Sequence, residues 1–409
     1  MKRKIALLIV LTAMLVVAMY AGTFISTSKV SAAAQPATAG LQPAPLAAPK
    51  FGTVSDFESS LINIYSQVSP SVVAIDVVES RAASPNLPQN HPNFGPGQAT
   101  ALGSGFVWDT SGHIVTNNHV VDGATQIQVT FSDGSSAAAK IVASDPDSDL
   151  AVISVSVPAN QLKPVQIADS TQVKVGQFAI AIGNPYGEQN TMTTGIISAL
   201  GRSLPVANSS SSVNGFTQGP SYSIPDVIQT DTPINPGNSG GVLLNSEGKL
   251  IGVTSAIESP SGVSAGIGFA IPSTIVQKVV PALITNGRYS HPYIGISGTT
   301  VGANLAQAMG LKPNQRGALV VTVIPNGPAA KAGLRGSSQQ TTINGLQAQI
   351  GGDVVTAIDG KPVKSFDDIV TYLAGSTTVN QTVTLTILRD SKEQQLQVTL
   401  AARPNSTGQ

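Results

Sequence analysis

The spacing of apolar positions changes several times along this chain. Residues 5–25 are almost uniformly apolar. As a helix rising ~1.5 Å per residue, that run is ~30 Å long, the thickness of a bilayer core. Residues 31–53 are rich in Ala and Pro and nearly uncharged, a composition expected of an extended tether. Ser55-Asp56-Phe57-Glu58 fits a capping box, and Phe57, Leu61, Tyr65 and Val68 then share one face of a predicted helix. From Ser71 the pattern shortens to β-branched runs, at 72–75, 126–129, 151–155, 178–183 and 250–255, punctuated by Gly, Asp, Asn and Pro. Many short strands of this kind predict an all-β barrel or sandwich. Two low-complexity stretches, 81–100 and 203–220, read as loops between strands.

A second change of period follows. Residues 273–286 predict a helix that closes the β-rich region, with Gly287 as its C-terminal cap and Pro281 as an internal weak point. Beyond it, strands are expected near 318–324, 354–358, 382–388 and 395–400. Short helices are expected at 329–332 and at 366–373, the latter capped by Ser365. The resulting division is an N-terminal anchor or signal (1–30), a tether (31–54), a β-rich domain (55–288) and a smaller α+β domain (292–404).

Charge and composition narrow the function classes. Charged residues are only 11% of the chain and the formal net charge is zero, against roughly 25% charged in an average soluble domain. No basic patch points to nucleic acid. The chain has no cysteine, which excludes a thiol nucleophile, a disulfide framework and any cysteine metal site. Lys2, Arg3 and Lys4 precede the apolar run and favour export of everything after it. Small residues at 30–34 also suit cleavage by signal peptidase. A membrane anchor is the expected reading, with secretion after cleavage as its alternative, and both put the chain outside.

Three segments carry candidate chemistry. In the first, a predicted strand runs into Thr116-Asn117-Asn118-His119-Val120-Val121. The second, Asp147-Ser148-Asp149-Leu150-Ala151, sets an acid just before a strand. The third is Asn235-Pro236-Gly237-Asn238-Ser239-Gly240-Gly241. A serine hydroxyl is a weak nucleophile and needs a base to take its proton. It also needs N–H groups aimed at the oxyanion formed on attack. A glycine-rich turn suits the second need, because Gly237 can adopt backbone angles that other residues resist. His119 is the expected base and Asp149 its orienting acid, with Asp145 and Asp147 as competitors for that role. Gly237, Asn238 and Ser239 are the expected oxyanion hole. No metal or cofactor is required. His113 is expected to face solvent, His91 to lie in a loop, and His291 at the hinge between the domains. The order His, Asp, Ser is that of chymotrypsin-like folds. Activity requires neutral His119 and should therefore fall on acidification.

These motifs resemble the HtrA (Deg) serine proteases. The others that carry the likeness are Gly103-Ser104-Gly105-Phe106, Gln229-Thr230-Asp231 and Gly266-Ile267-Gly268-Phe269-Ala270-Ile271-Pro272. The resemblance runs from about Phe57 to Ala402. It implies a mainly β, chymotrypsin-like protease domain of two six-stranded β-barrels, followed by one α+β PDZ domain. It further implies a homotrimer or larger assembly, and ATP-independent degradation of misfolded exported proteins. The family's substrate pocket maps onto Ile234, Ile257 and Ile267. Three isoleucines make it small and uncharged, so cleavage after small aliphatic residues is expected. Rival readings are a chaperone-like peptide binder with a latent triad, and a processing protease with one dedicated substrate.

Tyr293-Ile294-Gly295-Ile296 and Gly352-Asp353-Val354-Val355 resemble PDZ signatures. Such a domain adds a peptide strand to a sheet edge and holds its C-terminal carboxylate on backbone N–H groups. Tyr293, Ile294, Gly295 and Ile296 are the residues expected to do so. Residues 335–351 depart from the usual pattern as an insertion that would cover or reshape the peptide groove.

Overall fold

The computed structural model describes residues 53–80, 98–184, 190–205, 223–255 and 266–404. The apolar N-terminal run, the tether, His91, Ile257 and most of the two low-complexity stretches lie outside them. Among the described residues, no helix is long and apolar enough to cross a membrane.

Helix α1 (Val54–Val68) opens the described chain. Its cap is Thr53 rather than Ser55: the Thr53 side chain accepts from the Asp56 amide, and Asp56 Oδ2 accepts from the Thr53 N–H at 3.0 Å. Thr53 and Asp56 stand at the same three-residue spacing as Ser55 and Glu58, so one pattern offered two registers. The expected apolar stripe holds. Val68 and Ile64 are buried, Leu61 and Tyr65 pack on the core, and Phe57 meets Phe178 edge-on at 5.1 Å.

Twelve strands then form two closed six-stranded barrels. The first contains β1 (Val72–Ser80), β2 (Gln98–Val107), β3 (His113–Thr116), β4 (Ala124–Thr130), β5 (Ser136–Asp145) and β6 (Leu150–Val155). Their order is β1-β2-β3-β6-β5-β4, closed by pairing of β4 with β1. The second contains β7 (Phe178–Gly183), β8 (Thr191–Pro205), β9 (Ser223–Thr230), β10 (Val242–Leu244), β11 (Leu250–Ser255) and β12 (Gly268–Pro272). Their order is β10-β11-β12-β9-β8-β7, closed by β7 with β10. Closure leaves no open edge, which lets short β-branched strands stay paired without aggregating. One hydrophobic cluster joins α1, both barrels and the closing helix Ser273–Asn286. A short helix, α2 (Asn118–Val121), follows β3 in the first barrel. The closing helix, α3, ends on Gly287 at φ 67°, the left-handed cap expected of it.

The C-terminal part begins at β13 (Pro292–Tyr293) and continues through β14 (Ile296–Thr300), α4 (Ala303–Ala308), β15 (Ala318–Val323) and α5 (Pro328–Lys331). Then come β16 (Gln339–Ile343), β17 (Leu346–Ile350), β18 (Val354–Ile358), β19 (Lys361–Pro362), α6 (Phe366–Ser376), β20 (Thr382–Arg389), β21 (Lys392–Thr399) and β22 (Ala401–Ala402). The main sheet runs β14-β15-β18-β20-β21, with β19 beside β18. One face packs Val320, Val355 and Ile387 on α6, which carries the predicted Ser365 cap. The other packs Leu319 and Val354 beneath α4. The insertion folds as a two-stranded hairpin, β16–β17, turning on Asn344-Gly345 at φ 50° and 81°. Positive φ at both turn residues marks a type I′ hairpin, the conformation Asn-Gly favours.

Candidate active site

The β5–β6 connection delivers Asp149. The chain turns at Pro146, whose carbonyl accepts from the Asp149 N–H at 3.3 Å, and Asp149 takes φ 52°, a left-handed conformation that Asp tolerates better than most residues. This turns its carboxylate back onto the short helix that follows β3. Asp149 Oδ1 accepts from the His119 backbone N–H at 3.0 Å, and Oδ1 and Oδ2 lie 2.9 and 2.8 Å from His119 Nδ1. The Asp149 carbonyl accepts from Asn117 Nδ2 and from the Asn118 N–H. Ser255, from the second barrel, donates its hydroxyl to Asp149 Oδ2 at 3.2 Å. Asp149 is nearly enclosed, whereas the His119 side chain is 45% exposed. A carboxylate on Nδ1 leaves the other ring nitrogen, Nε2, as the basic position of a neutral imidazole.

The competing acids point elsewhere. Asp145 lies 2.8 and 3.0 Å from His291 Nε2 and accepts from Ser148 Oγ, while Asp147 faces Arg403 at 3.6 Å. His291 thus bridges the hinge to the β5–β6 loop. His113, expected in solvent, is partly buried with Nδ1 2.6 Å from Asp109 Oδ2. A short Asp-to-His spacing across the β2–β3 turn permits that contact.

Ser239 is buried in the turn before β10. The Asn238 N–H donates to the Asn235 carbonyl at 2.9 Å, and Gly237 adopts φ 98°. Proline second, a positive φ third and the four-residue hydrogen bond are marks of a type II turn. The first barrel holds this turn in place. Ser104 Oγ donates to the Gly237 carbonyl at 2.6 Å, and the Ser104 N–H donates to the Ser239 carbonyl at 2.8 Å. Ser104 Oγ also accepts from the Asn184 N–H. Thr254 Oγ1 donates to the Asn238 carbonyl. Gly240 has φ 84°, and a Cβ there would lie 2.1 Å from the Ser104 carbonyl oxygen. Sequence reasoning gave Ser104 no role beyond a motif match; its two grips on the serine turn belong to tertiary structure.

The three isoleucines expected to form the substrate pocket have unequal settings. Ile234 is buried in the second barrel's core and packs over Gly268, where a Cβ would come within 2.7 Å of it. Ile267 is 58% exposed, and Ile257 lies outside the described residues. In the C-terminal part, Tyr293, Ile294, Gly295 and Ile296 line a cavity of about 200 Å³ against α6, and Ser203 and Pro225 of the second barrel also reach its wall. No residue of the 335–351 insertion lines it, so the insertion does not cover that groove. No group of acids and histidines suited to a metal occurs among the described residues.

Two packed β-barrels, one carrying a His–Asp pair and the other a glycine-rich serine turn, are the architecture of a chymotrypsin-type serine peptidase. Comparison with known proteins agrees. Residues 103–253 match the trypsin-like peptidase domain, and residues 292–400 match the PDZ domain. The chain is 38% identical to the chloroplastic Protease Do-like 1 of Arabidopsis thaliana over 350 residues, covering 86% of this chain and 73% of that one. It is 38% identical to the periplasmic serine endoprotease DegP of Escherichia coli over 382 residues, with the same coverage. A solved structure of the HtrA-type protease AlgW with a decapeptide superposes with a TM-score of 0.60 at 32% identity, covering 84% of this chain and 99% of that one. This chain belongs to the HtrA (Deg) family of serine proteases and is a serine endopeptidase.

Proposed function

We propose that this endopeptidase degrades unfolded or misfolded exported polypeptides through an acyl-enzyme on Ser239. The observation that carries the reading is the double grip of Asp149 on the His119 ring and backbone, which fixes the imidazole to act as base. His119 takes the Ser239 proton as the hydroxyl attacks the scissile carbonyl, then gives it to the leaving amine. The amides of Gly237 and Ser239, at the turn that includes Asn238, stabilise the oxyanion. Ile267 with Ile234 and Ile257 forms the uncharged pocket for a small aliphatic residue before the cut. Tyr293, Ile294, Gly295 and Ile296 hold C-terminal carboxylates of substrates or activating peptides beside β14, the edge strand of its sheet. No step requires ATP, metal or cofactor. We place the protein outside the cytoplasm, in keeping with the periplasmic endoprotease DegP to which it is similar, held by residues 1–30 or released after their cleavage. It works as a homotrimer or larger assembly.

Incubation with casein and a serine-directed fluorophosphonate tests the chemistry. Loss of casein with label on Ser239 is expected. Ser239→Ala should lose activity on the order of 10⁶-fold, by analogy with another triad protease, and keep its melting profile. Suppressed aggregation without label or cleavage would instead mean a holding protein. Sequencing the products should place most cuts after Val, Ala or Ile, and a majority after Lys or Arg would refute the pocket.

A further inference from the structure

The β16–β17 hairpin opens a second cleft, of about 640 Å³, against the other face of the sheet. Its walls are the hairpin (Ile343, Leu346, Gln347), α4 (Leu305) and the edge strand β14 (Thr299). None of its lining residues carries a formal charge. Strand β14 is therefore shared: Ile296 lines the groove against α6, and Thr299 lines the hairpin cleft.

Geometry connects the two. Ile296 packs toward the α6 face. Two residues on, a Cβ at Gly298 would lie 2.6 Å from the Phe366 ring of α6, and Thr300 accepts the Phe366 N–H on its hydroxyl at 3.1 Å. The intervening residues belong to the other face, where Ser297 meets Thr322. A peptide whose carboxylate sits at the start of β14 must run antiparallel to it. Residues directly opposite each other in such a pair share a face. The last, third-last and fifth-last peptide residues then face α6, and the second-last and fourth-last face the hairpin. The fourth-last lies opposite Thr299, at the cleft.

We infer that the hairpin cleft receives the uncharged side chain fourth from the end of a bound C-terminal peptide, making this insertion a specificity element of the PDZ domain. The inference rests on the proposed role of Tyr293, Ile294, Gly295 and Ile296 in holding a carboxylate. The cleft suits Leu, Ala or Gln, since apolar walls bury the stem and amides such as Gln347 meet a polar end. A charged residue there would be desolvated without an opposite charge.

Fluorescence anisotropy with labelled ten-residue peptides on full-length Ser239→Ala protein tests it. The peptides, ending in Val with a free carboxylate, differ only in carrying Leu or Asp at the fourth-last position. Leu should bind about tenfold tighter than Asp, the equivalent of ~1.4 kcal/mol. Ser338 and Gly351 are neighbours, with the Ser338 hydroxyl 3.1 Å from a Cβ built on Gly351. Deletion of 339–350 between them should erase the preference, the Leu and Asp peptides then binding alike while still requiring a free carboxylate. Leu346→Asp, at a 74% exposed position that folding does not need, should erase it as well. Persistence of the tenfold preference in both variants, or its absence in the parent, overturns the inference while carboxylate binding stands. Equal binding of carboxylate- and amide-ended peptides, or none at all, removes the carboxylate reading and the cleft assignment with it.

Discussion

At the scale of single residues, two positions show how the fold constrains chemistry. Asp226 sits in β9 where the β8–β9 register slips, at φ 58°, and burial pushes its carboxyl up to about 6. Its ordinary value is 3.8, so the folded state binds the proton more tightly than the unfolded one. The neutral form is therefore favoured by folding. That contribution is complete below the unfolded value and is lost as pH rises towards 6. Asp226→Asn keeps a residue that tolerates positive φ and removes the charge. It should stabilise the protein at pH 7.5 by on the order of 2 kcal/mol and do little at pH 3.5. Urea melts at the two pH values, followed by the single tryptophan, Trp108, would show it. Equal gains at both would mean that charge burial is not the cause. Gly240 is constrained by space as well as by φ. Gly240→Ala would drive a methyl into the Ser104 carbonyl oxygen and push the serine turn away from its supports. Casein hydrolysis should fall at least about 100-fold, as it does when an oxyanion donor is misplaced, with fluorophosphonate labelling slowed in parallel.

At the scale of elements, the β5–β6 loop does two jobs. It presents Asp149 to His119 and ties the protease barrel to the segment leading into the C-terminal sheet. Asp145 and His291 are both largely buried, with side-chain exposures of 9% and 12%, whereas Asp147 and Arg403 are more open at 28% and 24%. Removing one partner of a buried polar contact costs about 1–3 kcal/mol, and a surface ion pair contributes ~1 kcal/mol or less. Asp145→Ala should therefore destabilise clearly more than Asp147→Ala in denaturant melts. It should also lower kcat with little change in KM, because the turn that aims Asp149 loses its anchor. Equal effects of the two changes would argue that the loop is held by its backbone alone.

At the scale of the whole molecule, most strand and helix positions were legible because the apolar period was clear. The strands Phe178–Gly183, Leu250–Ser255 and Val354–Ile358 and the helix Ser273–Asn286 stand where periodicity and capping put them. Barrel closure was not legible from periodicity, since pairing of β4 with β1 or β7 with β10 joins strands far apart in the chain; it came through family resemblance. The hairpin in the insertion was legible in part. Asn344-Gly345 is a strong two-residue turn signal, but the flanking residues are mostly polar and gave no apolar face to confirm it.

The sequence by itself determined the chemistry on offer: one serine in a glycine-rich turn, few histidines, no thiol, and acids before a strand. It put Asp149 ahead of Asp145 and Asp147, which lie within five residues and share nearly one local pattern, but did not say what each of them meets. Tertiary structure supplied the partners. The left-handed turn at Asp149 faces its carboxylate toward His119, while the hinge takes Asp145 through His291 and the residue just past β22, Arg403, takes Asp147. A residue's type follows from sequence, but the charge it meets depends on which distant segments pack beside it.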